Sequence, residues 1–176
     1  MRIFNVLDRL STKQHLVILF IITVIFPTVI FPLAGIDAQK MPDAKFYYTG
    51  EQVVQLLQSF TPAERSAYFL SAFFIDVLYP VTYSLLLAAL ITRLLQPLIA
   101  AESRWNYLRL LPFAAALFDL LENVSLAVLL TGIDRPVLAM AKAAAIFTPI
   151  KWSLVFASIL LVMFLFIKWL VTGSNK

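Results

Sequence analysis

Leu110 to Leu130 reads LLPFAAALFDLLENVSLAVLL. At ~1.5 Å per helical residue a stretch of this length matches the ~30 Å hydrocarbon core of a bilayer. Its apolar residues run continuously rather than alternating, which predicts a helix and not a strand. Three polar residues interrupt it: Asp119, Glu122 and Asn123, at i, i+3 and i+4, on one side of that helix. Ionisable groups are costly in lipid, so they normally face a bundle interior or a wet cavity and pair there. The stretch therefore predicts a membrane-crossing helix whose polar side has protein partners.

Three further stretches have the same length and character: Leu16 to Leu33, with Pro27 and Pro32 in its second half, Ala67 to about Thr92, and a segment inside Val137 to Val171. The predicted spans are 16–33, 67–92, 110–130 and 147–170. Of the 176 residues 61% are apolar and 14% charged. A water-soluble domain carries about a quarter charged residues, so a soluble domain and a disordered chain are both disfavoured. Open strands cannot cross lipid, and a barrel needs short alternating strands. The fold class is all-α: a polytopic membrane protein, a single four-helix transmembrane bundle.

The chain has no cysteine and one histidine, His15, which excludes disulfides, thiolate chemistry and His-pair or cysteine metal sites. No phosphate loop, zinc motif or nucleophile elbow is present, so no metal and no cofactor is expected. The net charge of +4 is explained by basic flanks of the spans rather than by nucleic-acid binding. The glycosylation pattern Asn123-Val124-Ser125 lies inside a span and is discounted. His15, Trp105, Tyr107 and Trp169 read as interfacial residues.

Arg2, Arg9, Lys13, Arg93, Arg104, Arg109, Lys168 and Lys176 fall on one side of the four spans, against Lys40, Lys45, Arg65 and Arg135 on the other. The positive-inside rule then places both termini in the cytoplasm of a multi-pass cell-membrane protein. Basic residues before an apolar run also describe a signal peptide. The long basic region and the poor small-residue pattern around Ala34 and Ala38 favour an uncleaved anchor.

Gly35 to Ser66 is the one sizeable connection. Val53, Val54, Leu56 and Leu57 recur at helical spacing, which fits a short outer amphipathic helix at the interface or a loop over the bundle mouth. Thr61, Pro62 and Glu64 are the N-cap, first-turn proline and third position of a capping box, so the second helix begins at Pro62. Gly132 and Pro136 bracket a tight turn that makes the third and fourth helices antiparallel neighbours.

The second helix carries Asp76 and the fourth carries Lys142 and Lys151, with Lys142 near enough to the outer end to reach water. Counted from Arg93, Arg109 and Lys168, Asp76 and Lys151 lie about 25 Å deep, Glu122 about 20 Å and Asp119 about 15 Å. Asp76, Tyr79 and Tyr83 share a side with Ala72, and Pro80 adds a kink. Thr148, Lys151 and Trp152 share a side with Ala141, Ala144 and Ala145, and Pro149 frees a carbonyl one turn back. Small residues let membrane helices approach closely. The expectation is an inward pocket lined by Asp76, Tyr79, Tyr83, Asp119, Glu122, Asn123, Thr148, Lys151 and Trp152.

The plainer reading is a polar cluster that only locks helices together, or a Lys151 that snorkels. Three carboxylates against one deep lysine leave an acidic excess, which favours a ligand, proton or reaction site. The leading expectation is binding of a membrane lipid or small lipophilic molecule. The alternatives are a lipid-modifying enzyme with acid/base carboxyls, proton-coupled transport by a homo-oligomer, and an accessory subunit.

Asp119-Leu120-Leu121-Glu122-Asn123, followed by Thr148-Pro149-Ile150-Lys151-Trp152, resembles a pattern in small bacterial four-helix integral membrane proteins of unassigned activity. More loosely, Phe69 through Asp76, just before Tyr79 and Pro80, is similar to the EXPERA group, which includes sterol isomerases and the sigma-2 receptor. That similarity implies a four-span fold in which cavity acids engage a cationic or carbocation-like lipophile. The position of His15 and the Asp119, Glu122, Asn123 set depart from the isomerase pattern.

Overall fold

The computed structural model describes residues 2–33, 40–100 and 102–173, which are mostly helical with no strand among them. In chain order the helices are α1 (Arg2–Leu10), α2 (Lys13–Leu33), α3 (Gly50–Gln58), α4 (Pro62–Leu70), α5 (Asp76–Leu95), α6 (Leu111–Thr131) and α7 (Leu138–Gly173). Four of these units are long and apolar enough to cross a membrane: α2, α5, α6 with the 3-10 turn Arg104–Leu110 before it, and α7. Ala34 and Ala38, which bear on cleavage, lie outside the described residues.

Two helices extend beyond the spans read from the sequence. The fourth helix runs unbroken through Leu138–Gly173 and contains the 147–170 span. Pro149 lies inside it without ending it. Its first turns are needed as a platform, because α3 packs on them. Ahead of α5 the chain is already helical from Pro62, as the capping box predicts: Thr61 accepts from the Glu64 backbone N–H and Glu64 accepts from that of Thr61. Five π-helical residues, Ser71–Ile75, join α4 to α5.

α6 and α7 pack along each other most extensively, and α5 leans on both. Ala115, Ala116, Ala141 and Ala144 are buried along that contact, where short side chains let the backbones close up. α2 packs mainly against α5. It buries Phe26 and leaves Val17, Ile18, Phe20 and Ile21 exposed. So broad an apolar surface fits lipid as its solvent.

α3 replaces the two readings of the connection with a third arrangement. It is a helix with a full capping box at Thr49, but Val53, Val54 and Leu57 turn into the protein rather than toward a lipid interface. The contact is close: a Cβ on Gly50 would stand 3.2 Å from the Ala141 carbonyl carbon. These residues join Met41, Tyr48, Phe60, Tyr68, Leu126 and Leu129 in one apolar core at the α3 end. Lys40 clips the connection to the start of α4 through Glu64, 2.6 Å away.

The opposite end has its own core of Ile91, Leu94, Leu95 and Leu165. α1 docks there. Asp8 accepts from Arg109 Nη1 at 2.9 Å and from Gln96 at 2.8 Å, while Leu7 is buried and Arg93 donates to the Ser11 carbonyl. Between these two apolar ends lies a polar layer.

Candidate functional site

The layer is organised by where one helix turn points. On α6, Glu122 is displaced from Asp119 by about 60° in one direction around the axis and Asn123 by about 40° in the other. Glu122 therefore meets α7, Asn123 meets α5, and Asp119 faces the space between. The contacts follow this division. Lys151 Nζ on α7 lies 2.7 Å from Glu122 Oε2 and 3.1 Å from Asp119 Oδ1. Thr148 donates its hydroxyl to Glu122 Oε1. Asn123 Nδ2 donates to the Asp76 carbonyl at 3.1 Å.

That last bond has a sequence cause. Pro80 has no N–H, so in a regular helix the carbonyl four residues back, that of Asp76, loses its donor. Asn123 supplies one from the neighbouring helix. Asp76 also follows directly on the π-helical turn, and π-turns inside α-helices are frequent at functional sites. A second one, Phe26–Ile30, interrupts α2 beside the same space, where Pro27 and Pro32 fall.

The space is a cavity of about 720 Å³. α2 contributes Thr23, Pro27, Phe31 and Pro32; α5 contributes Asp76, Tyr79, Tyr83, Leu86 and Leu87; α6 contributes Asp119; α7 contributes Lys151, Trp152, Val155 and Ile159. Met41 and Ala44 close its α3 end. Polar groups gather at that end and aliphatic ones fill the rest. Tyr83 donates to Asp119 Oδ2 at 3.0 Å. Tyr79 sits in an aromatic row, its ring 5.5 Å from Phe26, 5.5 Å from Phe31 and 5.4 Å from Tyr83. These contacts hold α2 against α5.

Of the nine residues that the sequence nominated, six line the cavity: Asp76, Tyr79, Tyr83, Asp119, Lys151 and Trp152. Glu122, Asn123 and Thr148 stand behind its wall. Glu122 and Thr148 are fully buried, and Asn123 is committed to the Asp76 backbone. Lys151 is 4% exposed, so the snorkelling alternative is overturned: its ammonium points at carboxylates on α6 and not at the surface. Lys142 is exposed, as its position near the helix end required.

Two groups that sequence reasoning passed over belong here. Tyr48 reaches in from the connection before α3 and donates to Glu122 Oε1 at 2.8 Å. The Tyr47-Tyr48 pair was visible, but nothing in the local pattern ties it to a residue on α6. The α2 wall was missed for a similar reason, since that span has no ionisable residue to mark a face.

Chemically, the cavity offers carboxylate oxygens from Asp76 and Asp119, the Lys151 ammonium and two phenols, at the edge of an apolar volume. Trp152 lines the cavity as a residue, while its indole Nε1–H is itself buried without an acceptor among the described residues. No group of three or more metal-ligating side chains occurs among the described residues. No protein-family model, no curated protein and no solved structure matches the chain.

Proposed function

We propose that this chain is a multi-pass membrane protein that takes a lipid or small lipophilic molecule from the bilayer into the cavity between α2, α5 and α7. The observation that carries this reading is the shape and polarity of that one space. About 720 Å³ is within the range of a small-molecule site, and its polar groups converge at one end of an apolar lining. The guest's polar group would meet Asp76, Asp119, Lys151 and the Trp152 indole, and its hydrocarbon would lie along Leu86, Leu87, Val155 and Ile159. α2 and α7 both wall the cavity and do not pack closely on each other among the described residues, which favours entry from the side.

The orientation proposed is α1 on the cytoplasmic side and α3 on the other. Arg9, Lys13, Arg93, Arg104, Arg109 and Lys168 cluster toward the α1 end, as the positive-inside rule requires.

Trp152 gives a direct test. In a Trp105→Phe/Trp169→Phe background it is the remaining indole, and a brominated fatty alcohol is a collisional quencher of it. Saturable quenching that disappears in Val155→Phe/Leu87→Phe supports the reading. Quenching that rises linearly with probe and is equal in the filled variant overturns it, because that is simple partitioning into detergent or lipid.

A further inference from the structure

A second, smaller pocket of about 280 Å³ lies at the α3 end, walled by Pro42, Lys45, Tyr47, Tyr48, Gln52 and Leu56. Tyr48 is shared between this pocket and the buried polar layer. Its ring belongs to the apolar core, and its hydroxyl donates to Glu122 Oε1 at 2.8 Å. The sequence of contacts continues without a gap above 3.1 Å. Glu122 Oε2 lies 2.7 Å from Lys151 Nζ, and Lys151 Nζ lies 3.1 Å from Asp119 Oδ1. Asp119 lines the large cavity, where Tyr83, Tyr79 and Asp76 also face. Every link has a proton to give or a lone pair to receive one.

We infer that Tyr48, Glu122, Lys151 and Asp119 form a proton relay between the pocket at the α3 end and the large cavity. The inference rests on the cavity being a site for a guest with a polar group, whose protonation the relay would set. In the inward direction hydronium gives a proton to the Tyr48 oxygen, leaving water, as Tyr48 gives its own to Glu122. Glu122 passes a proton to Lys151 as Lys151 gives one to Asp119, and Asp119 gives it to the occupant. One proton enters, one leaves, and each residue ends as it began. The purely structural role of these contacts is real as well, since a lysine between two carboxylates needs both. Tyr48 adds a proton-bearing group at the edge of the cluster nearest the small pocket.

Other titratable groups surround the cluster: Lys45 and Tyr47 stand on the small pocket's wall beside Tyr48, and Tyr68 of α4 is buried in the same apolar core. α5 brings Asp76, Tyr79 and Tyr83, all on the cavity side, and Tyr48 comes from the connection ahead of α3. α7 brings Lys151 and, an exposed two and a half turns away, Lys142.

The test needs no guest, so its failure is separable from failure of the binding reading. Trp152 is a built-in reporter, with Lys151 Nζ 5.7 Å from the centre of its ring. Full-length protein carrying Trp105→Phe and Trp169→Phe is placed in nanodiscs and taken through a rapid acid jump across the carboxylate range, and Trp152 emission is followed. The expected result is a fast change that slows by about a hundredfold in Tyr48→Phe, the lower edge of what positioned proton-transfer groups contribute. Glu122→Gln keeps the shape and the acceptor oxygen for Tyr48 but removes the carboxylate, and is expected to slow the change as well. Tyr107→Phe, at the far end, is expected to leave it unchanged. The rate is expected to fall in heavy water in the parent and not in Tyr48→Phe, a readout that a packing role does not move. An unaltered rate in both Tyr48→Phe and Glu122→Gln overturns the relay, as does a parent protein whose Trp152 emission ignores pH.

Discussion

The side-chain amide of Asn123 donates to the backbone carbonyl of Asp76 across 3.1 Å, between α6 and α5. It occupies the place of the helix hydrogen bond that Pro80 cannot make. The bond couples two substitutions that are otherwise unrelated. Asn123→Ala is expected to cost about 1–2 kcal/mol, because it leaves a buried carbonyl without its donor. In a Pro80→Ala background the residue at position 80 regains its N–H, and the same Asn123→Ala change is expected to cost clearly less. A double-mutant cycle by denaturant unfolding in detergent measures the difference; equal costs in both backgrounds would show that the two positions are independent.

Lys151 stands between Asp119 and Glu122 with all three side chains nearly out of solvent. Lys151→Met is expected to destabilise by about 3–5 kcal/mol, since it leaves two carboxylates buried without their cation. The triple change Lys151→Met/Asp119→Asn/Glu122→Gln is expected to recover most of that loss. Unfolding midpoints of the three proteins in matched detergent check the pattern, and salt is expected to have little effect because the cluster is buried.

Outside the spans, the Lys40 ammonium and then the Thr61 backbone N–H and hydroxyl hold the Glu64 carboxyl at about 2, against an ordinary 4.5. A depressed native pKa means that the carboxylate form is favoured by folding. Its contribution is therefore complete above pH 4.5 and is lost as pH falls from there toward 2. Stability measured across that window is expected to drop less steeply in Lys40→Met than in the parent. Identical slopes would mean that the Lys40 contact is not formed in solution.

Gly50 sits where α3 meets the start of α7, with the Ala141 carbonyl carbon and the Lys142 nitrogen 3.2 and 3.3 Å from the position of a Cβ. Both neighbours are backbone and cannot swing aside. Gly50→Val is expected to cost about 1–3 kcal/mol by overpacking. Hydrogen exchange should locate the damage in residues 50–58, and a variant with native protection there would contradict the close approach.

The four long apolar helices and the polar layer were legible because their signals are local. Twenty-residue apolar runs announce themselves, and the i, i+3, i+4 spacing of Asp119, Glu122 and Asn123 marks one side of a helix. The finer division of that side among three neighbours was not legible, because it depends on which helix stands where. The spacing alone put Glu122 and Asn123 in the pocket lining, whereas both point past it to α7 and α5. Tyr48 was harder still: 74 residues separate it from Glu122. The π-helical turns carry no periodic signature, although Pro27 and Pro80 hinted at irregular backbone near both. Helix α1 was read only as a basic flank, since its docking depends on the distant Arg109 and Gln96.

α2 leans on α5 through a short aromatic row while its remaining surface faces outward. Moving it aside disturbs the two ring contacts that Tyr79 makes with Phe26 and Phe31 and leaves the contacts among α5, α6 and α7 in place. The chamber thus has one soft panel and one hard corner. On the proposed binding function, guests of different girth would be tolerated along the panel, and discrimination would fall to whatever fits the charged corner fixed by Lys151.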